Sequence, residues 1–219
     1  MKELLTVLLI LISINTQSQA NKIENQSSQL EKEDPDNLYN EANISKLDLI
    51  EALELASIRI HKFNIGEFDQ EYNLQIFAEE YVNGKMIKTD TLLDYTNDYD
   101  FEVDGKFHQG FIDQIKIFSK TETNNSILDI RTYALSSKSE INLAKNDHRQ
   151  FYTWREYANT KWELNRKIPL LIFASSWLDK KYNFHRFCGV VKLRNDDEKT
   201  EELLNSSPNY IIISYKITE

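Results

Sequence analysis

The chain has 219 residues, 41% of them hydrophobic, and carries a formal net charge of −9 from 26 basic and 35 acidic side chains. Its lysines and arginines are scattered, with no run of five, so composition disfavours nucleic acid and an anionic membrane surface as partners. With one cysteine and five glycines the chain holds neither an internal disulfide nor a glycine-rich phosphate loop.

Lys2 supplies a short positive region, and Leu4 to Ile14 form an apolar run broken only by Thr6 and Ser13. Ser18-Gln19-Ala20 places small residues at both positions that signal peptidases read. This predicts a secretory signal peptide over residues 1–20. A spanning helix needs about 20 apolar residues, roughly twice this run, so no membrane insertion is expected once the leader is removed. No cysteine follows the run to take a lipid, and the expected location is secreted or periplasmic. Lys2 and Glu3 leave together, so the charge of −9 survives processing.

Residues 21–43 carry mostly Ser, Gln, Asn, Glu and Asp, too polar to offset the entropy of ordering, which predicts a flexible acidic tether. Residues 44–219 are then a single mainly-β domain of a size that supports one core.

Ser45-Lys46-Leu47-Asp48 reads as a variant capping box, and a helix is expected from there to about Ser57, with Leu47, Ile50, Leu53 and Ala56 on one stripe. Ile58 and Ile60 then alternate with Arg59 and His61. From Tyr72 the alternation of Tyr72, Leu74, Ile76 and Ala78 predicts a half-buried strand running into Asn83-Gly84. That dipeptide favours a type I′ turn, with Lys85 to Leu93 as the returning strand.

Further strand signals fall at Phe111 to Ser119, Ile127 to Ala134, Phe151 to Tyr157, Leu170 to Ala174, Gly189 to Leu193 and Tyr210 to Ile217. In the last of these Ile211, Ile213, Tyr215 and Ile217 share a face. Asp196 to Asn205 is a short acidic helix or loop, stopped by Pro208. Many short strands without parallel crossovers give the expected fold, an antiparallel β-sandwich or barrel-like sheet with one N-terminal helix.

Chemistry-bearing residues are dispersed. Asp94 to Gly105 gathers acids in an expected loop. Counted from Asp98, its sixth residue is Val103 and its twelfth Gln109, where a calcium loop needs Gly and Glu, so a solvated acidic loop is the default reading. His61, His108, His148 and His185 show no metal-ligand spacing, which leaves the metal question unknown, and no cofactor is implied. Among Glu79, Glu80, Asp113, Asp129, Glu156 and Glu163 no pair is marked as an acid and its partner. Cys188 lies between Phe187 and Gly189-Val190-Val191, a setting for a buried, inert thiol.

The aromatic residues are more suggestive, because all three tryptophans fall between Trp154 and Trp177. Trp154, Tyr157, Trp162 and Trp177 are the candidate ligand-binding rings, able to stack on a sugar or anchor a peptide if exposed. Alternation puts Phe151, Thr153, Arg155 and Tyr157 on one face and Tyr152, Trp154 and Glu156 on the other, so some of these rings must serve the core.

The leader, the acidic tether, the Asn-, Lys- and Ile-rich composition and the closing Ser207-Pro208-Asn209-Tyr210 to Tyr215 strand resemble the small secreted proteins of unknown function found in Bacteroidota. That resemblance implies an envelope location and a β-rich domain, and assigns no catalytic residue. The expected function is an exported, soluble binding or interaction module with a protein or glycan partner. A secreted glycosidase-like hydrolase, with carboxylates assembled only in the fold, and a structural envelope protein are the alternatives.

Overall fold

A computed structural model describes residues 44–122, 125–142, 144, 148–187, 189–195 and 197–219. The expected leader, tether and Cys188 lie outside these residues. The described residues fall into two units, one that ends at Ala52 and one over Leu53–Glu219. Helix α1 (Lys46–Leu55) begins in the first. Its start is the predicted capping box. The Asp48 amide donates to Ser45 Oγ at 3.2 Å, and the Ser45 amide donates to Asp48 Oδ2 at 2.7 Å.

The second unit is a sandwich of two sheets. One is fully antiparallel, in the order β1 (Ile58–Asn64), β6 (Gln114–Thr121), β7 (Asn125–Arg131) and β8 (Ser136–Asn142). The other has six strands in the order β13 (Lys192–Leu193), β9 (Tyr152–Tyr157), β10 (Lys167–Ser175), β14 (Asn209–Thr218), β2 (Asn73–Val82) and β3 (Lys85–Thr96). Only β13 runs parallel to its neighbour. Neither sheet closes into a barrel.

Between the sheets lies the main core, which includes Phe63, Ile115, Ile117, Leu128 and Ile130 from one side and Leu74, Ile76, Phe173, Ile213 and Tyr215 from the other. The predicted face of Ile211, Ile213, Tyr215 and Ile217 points into it. β10 breaks strict alternation with a register shift between Pro169 and Leu171, so that Leu170 and Leu171 both enter this core. The six-stranded sheet is also covered on its other side. Ile172, Ala174, Tyr157 and Tyr210 pack there with Leu203 of helix α2 (Glu198–Ser206). The helix reading of the Asp196–Asn205 segment therefore holds, and the described residues carry two helices where the sequence suggested one. Ser207, which ends α2, donates to the Ser175 carbonyl at 2.9 Å and ties that helix to the end of β10.

The Asn83-Gly84 turn forms as expected, with φ of +50° and +73°. The acidic stretch differs from its expected loop. It folds into a hairpin of β4 (Asp98–Val103) and β5 (Lys106–Phe111), turned by Asp104-Gly105 with φ of +52° and +74°. An Asp-Gly pair is itself a hairpin turn, and its signal was masked by the charge around it. Gly110 is fixed by packing, because a Cβ there would stand 2.7 Å from the Tyr99 ring.

The two sheets are also joined by a polar contact. His61 of β1 faces inward, the reverse of what the Ile58/Ile60 alternation implied, and Ile60 faces solvent. His61 Nδ1 lies 2.8 Å from Glu156 Oε1 on β9. The His61 hydrogen bond, and then the charges of His61 and Lys192, hold the Glu156 carboxyl below its ordinary 4.5 against partial burial.

Two outcomes follow from this packing. Trp154 is 3% exposed and stacks on Phe173 with ring centroids 4.2 Å apart, so Trp154→Ala should cost about 3–5 kcal/mol in a urea unfolding curve. A loss under about 1 kcal/mol would remove this ring from the core. A carboxyl with a lowered folded pKa contributes stability that is complete above the ordinary value of 4.5 and fades as pH falls through the folded one. The stability gap between the native chain and Glu156→Gln should therefore hold steady near neutral pH and shrink from about pH 5 downward. A gap that stays constant to about pH 3 would show that the pair contributes nothing.

Candidate functional site

Where β1 ends, the chain turns through Asn64 to Glu67 and meets the segment between β9 and β10. Gly66 allows that turn with φ of +108°, and its amide bonds Asn64 Oδ1 at 2.9 Å. Three bonds staple the turn to the facing segment. Thr160 Oγ1 donates to the Asn64 carbonyl at 3.1 Å, the Trp162 amide to the Ile65 carbonyl at 2.9 Å, and Trp162 Nε1 to the Glu67 carbonyl at 3.1 Å. Below them the Tyr215 hydroxyl donates to the Thr160 carbonyl at 2.6 Å.

The result is an open cleft of about 960 Å³ whose walls are fixed by backbone hydrogen bonds. Asn64, Asn159 and Asn195 line it with amides, and Glu67, Lys161, Glu163 and Arg166 bring two charges of each sign. Such a lining offers donors and acceptors in near balance and no net charge. Arg166 Nη1 lies 2.7 Å from both oxygens of Glu163, so both oxygens of that carboxylate are engaged by its own neighbour.

The four candidate rings do not form one surface. Trp154 belongs to the main core, and Tyr157, 6% exposed, to the second one, where burial pushes its hydroxyl pKa up. Neither offers a ring face to a ligand. Trp162 is half-buried behind the Asn64–Glu67 turn and packs against the main core, stacked on Phe68 with centroids 4.8 Å apart and tilted against Tyr72 at 5.4 Å. Trp177 stands past the other end of β10, where it lines two smaller clefts of about 650 and 330 Å³. Nine residues of strand separate the two half-buried tryptophans, a distance of about 30 Å.

His61 with Glu156 is the pair that sequence reading missed, since the alternation placed His61 outward. A histidine held by a carboxylate at one nitrogen is half of a hydrolytic triad when its other nitrogen meets substrate. Here His61 is 7% exposed, packed between Phe63 and Trp154, and Nε2 is buried without a partner in the described residues. The geometry is that of a clasp between sheets. In the smaller of the two clefts beside Trp177, Ser176 Oγ lies 3.3 Å from His185 Nδ1 and accepts the Phe151 amide at 3.0 Å, so this serine holds the strand ends.

Among the described residues no group of three or more His, Cys, Asp or Glu side chains could hold a metal ion, and no helix is long and apolar enough to cross a membrane. No curated protein and no solved structure matches the chain. A family model does match, over residues 28–219, taking in part of the segment expected as a tether together with every described strand. The chain belongs to that family, described as a domain of unknown function (DUF5041).

Proposed function

We propose that the chain is an exported binding module that takes a hydroxyl-rich ligand, a segment of glycan, in the cleft between the Asn64–Glu67 turn and the segment before β10. The observation that carries this reading is the cleft itself, preformed by the Thr160 and Trp162 bonds and lined by amides and charges that cancel. A preformed site loses little ordering entropy on binding. Hydroxyl groups both donate and accept, and this lining has both kinds of partner within one concave surface. Export is supported by the composition of residues 1–20. Catalysis is the weaker reading of the same cleft, because the Arg166 fork occupies Glu163.

Asn159 and Lys161 are exposed and carry no structural bond among the described residues, which makes them clean probes. A bound oligosaccharide at 100 times its dissociation constant adds about 2.7 kcal/mol, raising the unfolding midpoint by roughly 5–10 °C. Asn159→Ala and Lys161→Ala should each weaken that binding about 5- to 50-fold by titration calorimetry while leaving the unliganded midpoint unchanged. A panel of oligosaccharides that leaves the midpoint flat, or equal binding by both variants, would remove the ligand from this cleft.

A further inference from the structure

At the far end of β10 from the cleft, β11 (Trp177–Asp179) and β12 (Phe184–Arg186) form a small hairpin with the turn Lys180-Lys181-Tyr182-Asn183. The turn is rigidly built. Asp179 Oδ1 accepts the amides of Lys181 at 3.0 Å and Tyr182 at 3.4 Å, and Asn183 takes a φ of +52°. Yet its side chains are spent on nothing inside the fold. Tyr182 is 61% and Phe184 50% exposed, and Leu178 beside them is also exposed. The two rings lie 6.1 Å apart, and Lys181 Nζ stands 4.9 Å from the Tyr182 centroid.

The charge at this tip runs against the sign of the whole chain. Asp179 and Glu202 both engage Arg186, at 3.2 and 2.9 Å, so this trio keeps one negative charge over. Lys180 and Lys181 form no ion pair among the described residues. With Lys180 and Lys181 these groups still leave an excess of one positive charge beside a pair of exposed rings, on a chain of net charge −9. We propose that the β11–β12 tip docks peripherally on an anionic lipid surface, with the rings of Tyr182 and Phe184 at headgroup depth and Lys180 and Lys181 against lipid phosphates.

Aromatic rings with a polar or wet edge settle at the membrane interface, and lysines beside them add attraction to anionic lipid. A purely electrostatic partner would not need Tyr182 and Phe184 exposed together, and a purely apolar partner would not need the lysines. The net charge, which argued against an anionic surface at the level of composition, is screened beyond about 8 Å at physiological ionic strength, so the groups at the tip decide the contact. Two lysines and two rings give a weak, reversible contact, because each lysine changes partitioning only about 5-fold.

The test is co-sedimentation of the purified chain with phosphatidylglycerol-rich vesicles and with phosphatidylcholine vesicles. Hairpin variants of the same chain are run in parallel, so that any apolar segment elsewhere contributes equally to each. The native chain should partition onto the anionic vesicles more strongly than Lys180→Glu/Lys181→Glu by at least about 25-fold, and the difference should collapse in high salt. Tyr182→Ser/Phe184→Ser should also lose partitioning, and both variants should keep the native unfolding midpoint. Equal partitioning of native chain and variants would overturn the proposal. So would loss in the lysine variant alone together with equal competition by soluble polygalacturonate, which would make the tip a polyanion site. Because the cleft variants Asn159→Ala and Lys161→Ala lie at the other end of β10, they should leave vesicle binding unchanged, and the two readings fail separately.

Discussion

Burial of the central strands of the six-stranded sheet on both faces is the constraint on which the rest of the structure depends. β10 and β14 lie at its centre, between the four-stranded sheet on one side and α2 with its neighbours on the other. A strand covered on both faces has no solvated side on which to place a polar residue. This is why Leu170 to Ala174 is a continuous apolar run, and why Tyr210 to Ile213 is another. Chemistry cannot sit on these strands, only at their ends. The polar cleft occupies the end where β10 begins and the aromatic tip the end where it stops.

The layers still have to be held in register, and polar contacts do it where apolar packing is indifferent. His61 meets Glu156 across the sandwich at 2.8 Å. At the opposite edge Ser137 Oγ donates to the Leu92 carbonyl at 2.6 Å, joining β8 to β3. The Ser175–Ser207 contact at 3.1 Å fixes the end of α2 against the sheet. Each satisfies groups that would otherwise be buried at a cost, and each specifies one alignment among many that the aliphatic side chains would tolerate.

Much of the fold was legible because it is written in local chemistry. The Ser45/Asp48 box, the Asn83-Gly84 turn, the shared face of Ile211 to Ile217 and the split faces of Tyr152 to Tyr157 all rest on residues adjacent in sequence. What stayed hidden depends on layers. His61 looks like an ordinary surface position until the partner sheet supplies Glu156, 95 residues away. The β4–β5 hairpin was obscured because its strands carry Asp98, Asp100 and Glu102 on one face, a pattern that composition reads as loop. The cleft was illegible for a similar reason, since its walls come from residues 64–67 and 158–168, stapled by hydrogen bonds to backbone carbonyls that no side-chain pattern announces.

The aromatic cluster shows how sequence proximity and spatial proximity part company in such a fold. Trp154, Tyr157, Trp162 and Trp177 fall within 24 positions, which suggests one platform. A strand of nine residues carries the chain about 30 Å, however, and β10 lies between the last two. Alternation on β9 then sends Trp154 into one core and Tyr157 into the other. One contiguous aromatic stretch is thus divided among two cores and two surfaces. The sheet separates a cleft of balanced charge from a tip with a small positive excess, and the two share no residue.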